Sequence, residues 1–359
     1  MKPALLLTFD SMRHANTGLH TFGHCLGREI MRQGGDAFKV SAYTYPQQHG
    51  FLGPSAGYVA HSYLHRLYFG PRKRYDLVHF ADQYCRFRPS QAAGKTIMTV
   101  HDMNQIYEHA PGSAKIARYL RRMEAKVNGA DHIVAISRFV ADDIVRHFPS
   151  AREKISVIYN GSDFTCPPAG HLPPYQPEGP FLFTLGMVCP KKNFHVLVPL
   201  LRNNALKLVI AGIVKDEYRD KIVADAARYG VSERVIVIGP VSQHDKDWYY
   251  AHCEAFLFPS LAEGFGLPVI EAMHHGKPVF LSTLTSLPEV GGEAAYYFSD
   301  FEPDSMAKVF NDGMADFAKG GVERVEANAA RFTWERAAKQ YLELYSSVLE
   351  ARPATHSST

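Results

Sequence analysis

Residues 260 to 273 read SLAEGFGLPVIEAM, and this stretch constrains the chain more tightly than any other. The apolar run Ala255 to Phe258 just before it has the composition of a buried strand, so a strand delivers the backbone into a loop that carries Gly264 and Gly266. A helix follows. Pro268 suits a first helical position, because its fixed φ fits and its missing N–H would have been unpaired there anyway. Val269, Ile270 and Met273 supply the buried face. The amides of Phe265 to Leu267 and of Val269 are then expected to lack intrahelical acceptors. Amides left free at a helix start, reinforced by the helix dipole and approached by a loop without bulky side chains, form a seat for phosphate.

Two carboxylates frame that seat: Glu263 on the loop and Glu271, expected in the first turn of the helix. A carboxylate beside a phosphate is repulsive unless it points elsewhere, so both are expected to accept hydrogen bonds from hydroxyls of one ligand. Phosphate flanked by two polyols describes a nucleotide sugar. The plainer alternative is an ordinary helix start whose acidic residues favour the positive end of the dipole.

A length of 359 residues allows two domains of ordinary size. No apolar run approaches the eighteen or so residues that span a bilayer, and Ala4 to Thr8 reads as a first strand rather than a signal peptide. The five cysteines, Cys25, Cys85, Cys166, Cys189 and Cys253, are far apart in the chain, which points to a reducing cytoplasm. The net charge of +3 hides an asymmetry: residues 1 to 165 carry 21 Lys or Arg against 13 Asp or Glu, and the remainder 18 against 23. The basic half suits an anionic lipid or acidic acceptor, or is simply a solvated surface.

Residues 1 to 160 alternate apolar runs with helical patterns, which indicates strands joined by crossover helices into a parallel sheet. Leu5 to Phe9, Leu77 to Phe80, Ile97 to Val100, Ile133 to Ile136 and Ile155 to Ile158 are the clearest strands, and a helix follows Gly18. Residues 41 to 75, rich in Tyr, His and Gly and ending on Arg72, Lys73 and Arg74, resist assignment. Six prolines between Thr165 and Pro180 mark a linker. The alternation then restarts, with strands expected at Phe181 to Leu185, Leu206 to Ala211, Val235 to Ile238, Ala255 to Phe258 and Val279 to Leu281. A last helix, Trp334 to Leu349, precedes a disordered tail. The fold class is α/β, with two Rossmann-like doubly wound domains facing across a cleft.

EGFGLPVIE resembles the E-x7-E element of the retaining family-4 glycosyltransferases, which have the GT-B fold. The resemblance implies that Glu263 approaches the donor sugar and Glu271 binds the nucleotide ribose. TLGMVCPKKN, residues 184 to 193, is similar to that family's G-R-x-x-x-x-K-N: Gly186 ends a strand, Lys192 takes the place of the phosphate-binding lysine, and Met187 replaces the arginine. A lysine there neutralises charge on a departing diphosphate. In TVHD, His101 matches a family histidine that lies near the transferred sugar, with Asp102 as its orienting neighbour. NTGL, Asn16 to Leu19, resembles the first glycine loop, with Gly18 allowing close backbone approach and His20 in place of a later glycine. Ser137 and Arg138 in AISRF, and Asn160 and Gly161 in VIYNGSD, match family strings of a structural kind around a hinge. FTWERAAKQYLELY resembles the closing helix that returns to the first domain.

Other signals are better read as structural. Asp245 and Asp247 form a D-x-D, but they precede Trp248 in a helical pattern and fit a first helical turn. His61 and His65 lack the glutamate of a zinc motif, and the adjacent His274 and His275 cannot both aim at one ion from a helix. No metal site is expected. Arg118, Arg121, Arg122 and Lys126 fall on one face of a helix; a solvated face is the plain reading, and docking on a membrane surface fits an acceptor carried on lipid. Nucleic acid is not expected as a partner.

The resemblance therefore implies an acceptor-side domain over residues 1–165 with helix 334–350 packed on it, a proline-rich linker at 166–177, and a nucleotide-sugar domain at 178–333. It implies a hexosyltransferase, for mannose or glucose, that moves the sugar to a glycan or lipid-linked glycan with retention, in polysaccharide or lipopolysaccharide synthesis. His101 and Glu263 are the expected catalytic residues. Gly18, Gly186, Lys192, Gly264, Phe265, Gly266, Leu267 and Glu271 are the expected donor contacts. No cofactor is expected, the nucleotide sugar being a substrate, and the expected location is cytoplasmic, with peripheral contact at the inner membrane face. A nucleotide-sugar 2-epimerase, which needs no acceptor, and a non-catalytic sugar-nucleotide binder are the competing readings.

Overall fold

In the computed structural model, which describes residues 1–13, 17–68 and 75–351, the apolar runs become the strands of two separate, wholly parallel sheets. Met1–Gly161 and the segment from Thr333 onward form one unit, and Ser162–Phe332 the other. In the first unit, β1 (Ala4–Thr8), β2 (Lys39–Thr44), β3 (Gly57–Ala60), β4 (Leu77–Phe80), β5 (Lys95–Val100), β6 (His132–Ala135) and β7 (Ile155–Val157) lie in the order β3-β2-β1-β4-β5-β6-β7. Helices α1 (Gly18–Gly34), α2 (Ala114–Gly129) and α3 (Arg138–His147) connect them. Leu5, Leu6, Leu7, Val78, Ile97 and Ile133 are fully buried, as strands covered on both faces must be.

The second unit holds β8 (Phe181–Leu185), β9 (Lys207–Ala211), β10 (Val235–Gly239), β11 (Ala255–Phe258), β12 (Val279–Ser282) and β13 (Tyr296–Phe298), ordered β10-β9-β8-β11-β12-β13. Its helices are α4 (Asp216–Arg228), α5 (Gln243–His252), α6 (Leu267–His274), α7 (Leu287–Gly291), α8 (Pro303–Phe317) and α9 (Gly321–Ala329). In both sheets the order reverses beside the first strand, β1 or β8, which is the place where ligands of open parallel sheets gather at the strands' carboxyl ends.

Three strands escape the sequence reading. In β2, KVSAYT mixes small polar residues with apolar ones; β3 is half-exposed; β13 is only three residues long. The proline-rich stretch also differs from expectation, because it lies within the second unit and the division falls at Gly161 and Ser162. It lies against α5: Tyr249 donates its phenol to Tyr175 O, His171 Nε2 meets Asp245 Oδ1 at 2.8 Å, and Thr165 Oγ1 donates to Asp247 Oδ2 at 2.8 Å. The helical expectation at Asn193 becomes a 3-10 helix, Phe194–Leu201, with Pro199 inside it.

The chain leaves and re-enters the first unit at one place. A Cβ on Gly161 would stand 2.1 Å from Trp334 N, so only glycine permits this approach. Immediately beyond it, Ser162 N donates to Phe332 O at 3.0 Å. Helix α10 (Trp334–Glu350) then packs on α1, where Gly34 leaves room for Leu342, and on the sheet. Tyr341 OH and Thr99 Oγ1 are 2.9 Å apart, His79 Nε2 lies 2.8 Å from the same Thr99 oxygen, and Tyr345 OH lies 2.6 Å from His79 Nδ1. This buried polar chain is fully satisfied, and it fixes the register of α10 on β4 and β5.

Burial pulls the His79 imidazole down to about 3. Between that value and the unfolded value near 6.5 the unfolded chain takes up a proton that the folded chain refuses, so this contribution to stability is complete above about pH 6.5 and is lost as the pH falls towards 3. His79→Gln is expected to lower stability at neutral pH and to reduce the slope of unfolding free energy against pH, between about pH 6 and 4, by about 1.4 kcal/mol per pH unit. Urea titrations of both proteins across that range measure it, and equal slopes would contradict the assignment.

Candidate functional site

In the second unit, β8 ends at Leu185 and Gly186 follows with φ +152°, beside Gly212 at φ +133°. A Cβ on Gly212 would stand 1.9 Å from Gly186 O, so the two strand ends touch backbone to backbone. Pro190–Lys192 forms one 3-10 turn that Asn193 closes in the left-handed region, φ +58°. The Lys192 stem lies over Gly186, its Cε 3.1 Å from where a Cβ would be. Its ammonium pairs with Glu263 Oε1 and lies 4.6 Å from the centre of the Phe258 ring. Both partners of the ion pair are 13% exposed.

Glu263 is held from several sides. Ser260 donates its hydroxyl to the same carboxylate oxygen, Glu263 N donates to Thr285 Oγ1 at 3.0 Å, and Ser286 Oγ donates to Glu263 O at 3.0 Å and to Phe265 O at 2.9 Å. Thr285 itself has φ +56°, a conformation that a β-branched residue adopts only under constraint. Asn193 and Thr285 are the two non-glycine residues with positive φ among the described residues, and each adjoins the Lys192–Glu263 pair.

The entrance to α6 is built on Gly266, φ +115°, with Leu267 as the first helical residue and Pro268 as the second, one place later than expected. Val269 N donates to Gly266 O at 3.0 Å, which corrects the expectation of a free amide there. Phe265 is buried, its ring edge-on to Phe332 at 5.6 Å, and Gly264 precedes it on the loop. Glu271 lies in the second turn of α6, not the first. Its Oε1 pairs with Lys246 Nζ at 2.6 Å and its Oε2 accepts the Tyr250 phenol at 2.9 Å. Burial and the Glu271 charge push that phenol well above its ordinary value, so it stays a donor.

Glu263 and Glu271, expected to accept hydrogen bonds from hydroxyls of one ligand, are each bound to a lysine here. Each carboxylate still has lone pairs beyond those bonds. Sequence reasoning missed Lys246, Tyr250 and Thr285. The first two stand one turn apart on α5, a spacing that places them on one face.

Within the first unit, His101 follows β5 and is 7% exposed. Its Nε2 meets Ala81 O at 2.8 Å, its amide donates to Gln83 Oε1 at 3.1 Å, and Phe22 lies edge-on at 4.5 Å. A carbonyl only accepts, so Nε2 carries the proton and Nδ1 is the acceptor; burial holds the imidazole below its usual value. The Ala81 carbonyl thus orients the ring, and Asp102 accepts from Asn104 N at 3.0 Å. Gly18 is the first residue of α1, which Thr17 caps, and among the described residues, its chain neighbours and its own helix backbone apart, no atom lies within 4 Å of its would-be Cβ. Asn16 lies outside the described residues, as do Arg72, Lys73 and Arg74.

The remaining motifs have structural explanations. Asp245 closes a capping box with Ser242 at the start of α5, and Asp247 bonds Thr165 and Gln243. Among the described residues no three His, Cys, Asp or Glu side chains gather as a metal ion would need. Nor is any described helix long and apolar enough to cross a membrane.

Two family models match the chain: Glycosyltransferase Family 4 over residues 30–165 and Glycosyl transferases group 1 over residues 174–345. The serotype-specific mannosyltransferase WbdA of Escherichia coli is 27% identical over 280 residues, which is 73% of this chain and 34% of that protein. The chain therefore spans about a third of the length of that curated relative. The O-antigen chain mannosyltransferase B of the same organism is 28% identical over 271 residues, 70% of each chain. Among solved structures, Anabaena HepE in complex with UDP and glucose superposes with a TM-score of 0.72 at 18% identity, covering 96% of this chain and all of that one. Fold, motifs and models agree that the chain belongs to the family-4 glycosyltransferases, of the glycosyl transferases group 1, with two α/β units of the GT-B class.

Proposed function

We propose that this protein is a retaining hexosyltransferase that moves mannose or glucose from a nucleotide diphosphate sugar to a hydroxyl of a glycan or lipid-linked glycan, in lipopolysaccharide or other cell-surface polysaccharide synthesis. The observation that carries the reading is the Lys192–Glu263 pair, held over Gly186 between the left-handed Asn193 and the strained Thr285 and next to the glycine entrance of α6. An ion pair that is largely buried and lies beside a strained threonine contributes little to stability alone. It suits a lysine that turns to a diphosphate when one binds. The names of the O-antigen mannosyltransferases and the UDP complex of HepE support the substrate class.

In this reading the pyrophosphate lies against the backbone of Gly264, Phe265, Gly266 and Leu267, with Gly186 leaving space on the other side. Lys192 neutralises the charge that develops as the bond between the sugar's anomeric carbon and the phosphate oxygen breaks. Glu263, released by the lysine, accepts a hydroxyl of the sugar. Glu271, aimed by Lys246 and Tyr250, accepts the ribose hydroxyls. The acceptor oxygen forms the new bond on the same face, and its proton passes to the departing diphosphate, so no protein base is consumed and no metal is called upon. His101, with Nδ1 as acceptor, holds a hydroxyl of the transferred hexose; Gly18 gives the diphosphate or acceptor room beside α1.

Incubation with UDP, GDP, ADP and dTDP sugars should raise the melting temperature with one nucleotide above the others, and donor should be consumed only when an acceptor glycan is present. Conversion of donor alone into a new sugar nucleotide would replace this reading with the epimerase. Lys192→Ala is expected to lower kcat about a hundredfold with a smaller change in KM for donor, since a leaving-group contact acts mainly in the transition state. Equal loss in Asn193→Ala would contradict that role. Glu271→Ala should weaken donor binding about tenfold by calorimetry, the loss of a charged hydrogen bond; an unchanged Kd would remove the ribose assignment.

A further inference from the structure

Helix α5 is held from more than one side. Asp245, Asp247, Tyr249 and Tyr250 are all buried, and with Asp245 taken as zero they fall at about 0°, 200°, 40° and 140° around the helix axis. One apolar stripe would be enough to dock a surface helix. Among the described residues, the hydrogen bonds that α5 side chains make beyond the helix and its Ser242 cap go to two places. Lys246 and Tyr250, at about 100° and 140°, reach the two oxygens of Glu271. The flanks on either side of that stripe are bonded to the proline-rich strap: Asp245 to His171 and Tyr249 to Tyr175 O on one, Asp247 to Thr165 on the other. The strap therefore passes round the outside of α5 and grips it on both sides of the two residues that aim Glu271.

Asp247 is the anchor that stability explains least. It is buried, with Thr165 Oγ1 donating to Oδ2 at 2.8 Å and Gln243 Nε2 to Oδ1 at 2.9 Å, and a carboxylate withdrawn from water is expensive even when its oxygens are bonded. A second line of contact leads from the strap to the same place. Phe164 lies 5.0 Å from the His275 ring, and His275 is stacked on the Tyr250 ring at 5.7 Å and 26°. Burial pulls the His275 imidazole down to about 4, so at neutral pH it packs on the phenol as an uncharged ring. The tolerance at Glu271 is small. A side-chain tip about 6 Å from a helix axis moves about 1 Å when the helix turns by about 10°. That carries the bonds of 2.6 and 2.9 Å to Glu271 out of hydrogen-bonding reach. Apolar contacts have no preferred direction and resist such a turn weakly; hydrogen bonds on both flanks oppose it.

We propose that Thr165 and Asp247 are positioning residues of the nucleotide site: through the strap they fix the rotation of α5, and with it the direction in which Lys246 and Tyr250 aim Glu271. The inference rests on the reading of Glu271 as the ribose ligand. It deepens that reading by placing the control of ribose against deoxyribose in a segment remote from the phosphate loop. A carboxylate held in one orientation takes two neighbouring hydroxyls at once; a carboxylate that has turned takes one, and the preference for ribose falls.

Calorimetry tests this without turnover. Whichever of UDP, GDP and ADP the unaltered protein binds most tightly is compared with its 2′-deoxy counterpart and with inorganic pyrophosphate. The unaltered protein should prefer the ribose form about tenfold, the effect of one hydrogen bond to a charged group. Thr165→Val and Asp247→Asn should each reduce that preference to about threefold or less with pyrophosphate binding unchanged, because the carboxylate is turned and not removed. Thr165→Ser keeps the hydroxyl and should restore the full preference. Variants that melt at a lower temperature yet keep the preference overturn the proposal, since the strap then only stabilises its unit. Equal weakening of the ribose form, the deoxy form and pyrophosphate overturns it as general damage, and so does an unaltered protein that shows no preference. Glu271→Ala separates the proposal from the reading beneath it. Preference lost there but kept in Thr165→Val and Asp247→Asn removes the strap alone; preference kept in Glu271→Ala removes the ribose assignment, and the proposal with it.

Discussion

The second unit depends on a lysine and a glutamate, neither of them free, sharing one small space. Lys192 reaches Glu263 only because Gly186 has no side chain beneath it, because Asn193 bends the backbone after it, and because Ser260, Thr285 and Ser286 pin the loop that carries the glutamate. Each device costs stability when considered alone. Left-handed backbone at a threonine is worth on the order of 1 kcal/mol or more of strain, and a largely buried ion pair recovers little beyond its desolvation. Their convergence on one spot is the physical sign of a site whose conformation is set by something other than folding.

A second lysine and glutamate, Lys246 and Glu271, repeat the arrangement one element away, with Tyr250 as a third partner. The two pairs differ in what they allow. Glu263 sits on a loop before α6, and its lysine comes from a short 3-10 turn, so this pair can be parted by modest rotations. Glu271 is in the body of α6 and its partners are on α5, so it is aimed rather than poised. The division suits a ligand with one end where charge changes during reaction and another end that is only held.

Much of this was legible in the sequence, for identifiable reasons. Parallel strands covered on both faces are mostly apolar, so β1, β8, β9 and β11 stand out as runs rich in Leu, Ile, Val and Phe. Gly266 and Pro268 state where α6 begins because each has few other uses. What the sequence concealed were relationships between distant segments: the lysine partners of Glu263 and Glu271, 71 and 25 residues away, and the carbonyl of Ala81 that sets the His101 tautomer. The proline-rich stretch misled because proline signals extended backbone, which serves equally as a connector or as a strap laid over α5.

The central claim is that the loop from Gly264 to Leu267 and Lys192 together receive a diphosphate. A crystal structure with a bound nucleoside diphosphate measures this most directly. The account requires the terminal phosphate beside the Gly266 and Leu267 amides with Lys192 Nζ turned from Glu263 towards it. A diphosphate bound elsewhere, with the Lys192–Glu263 pair still closed, would contradict it.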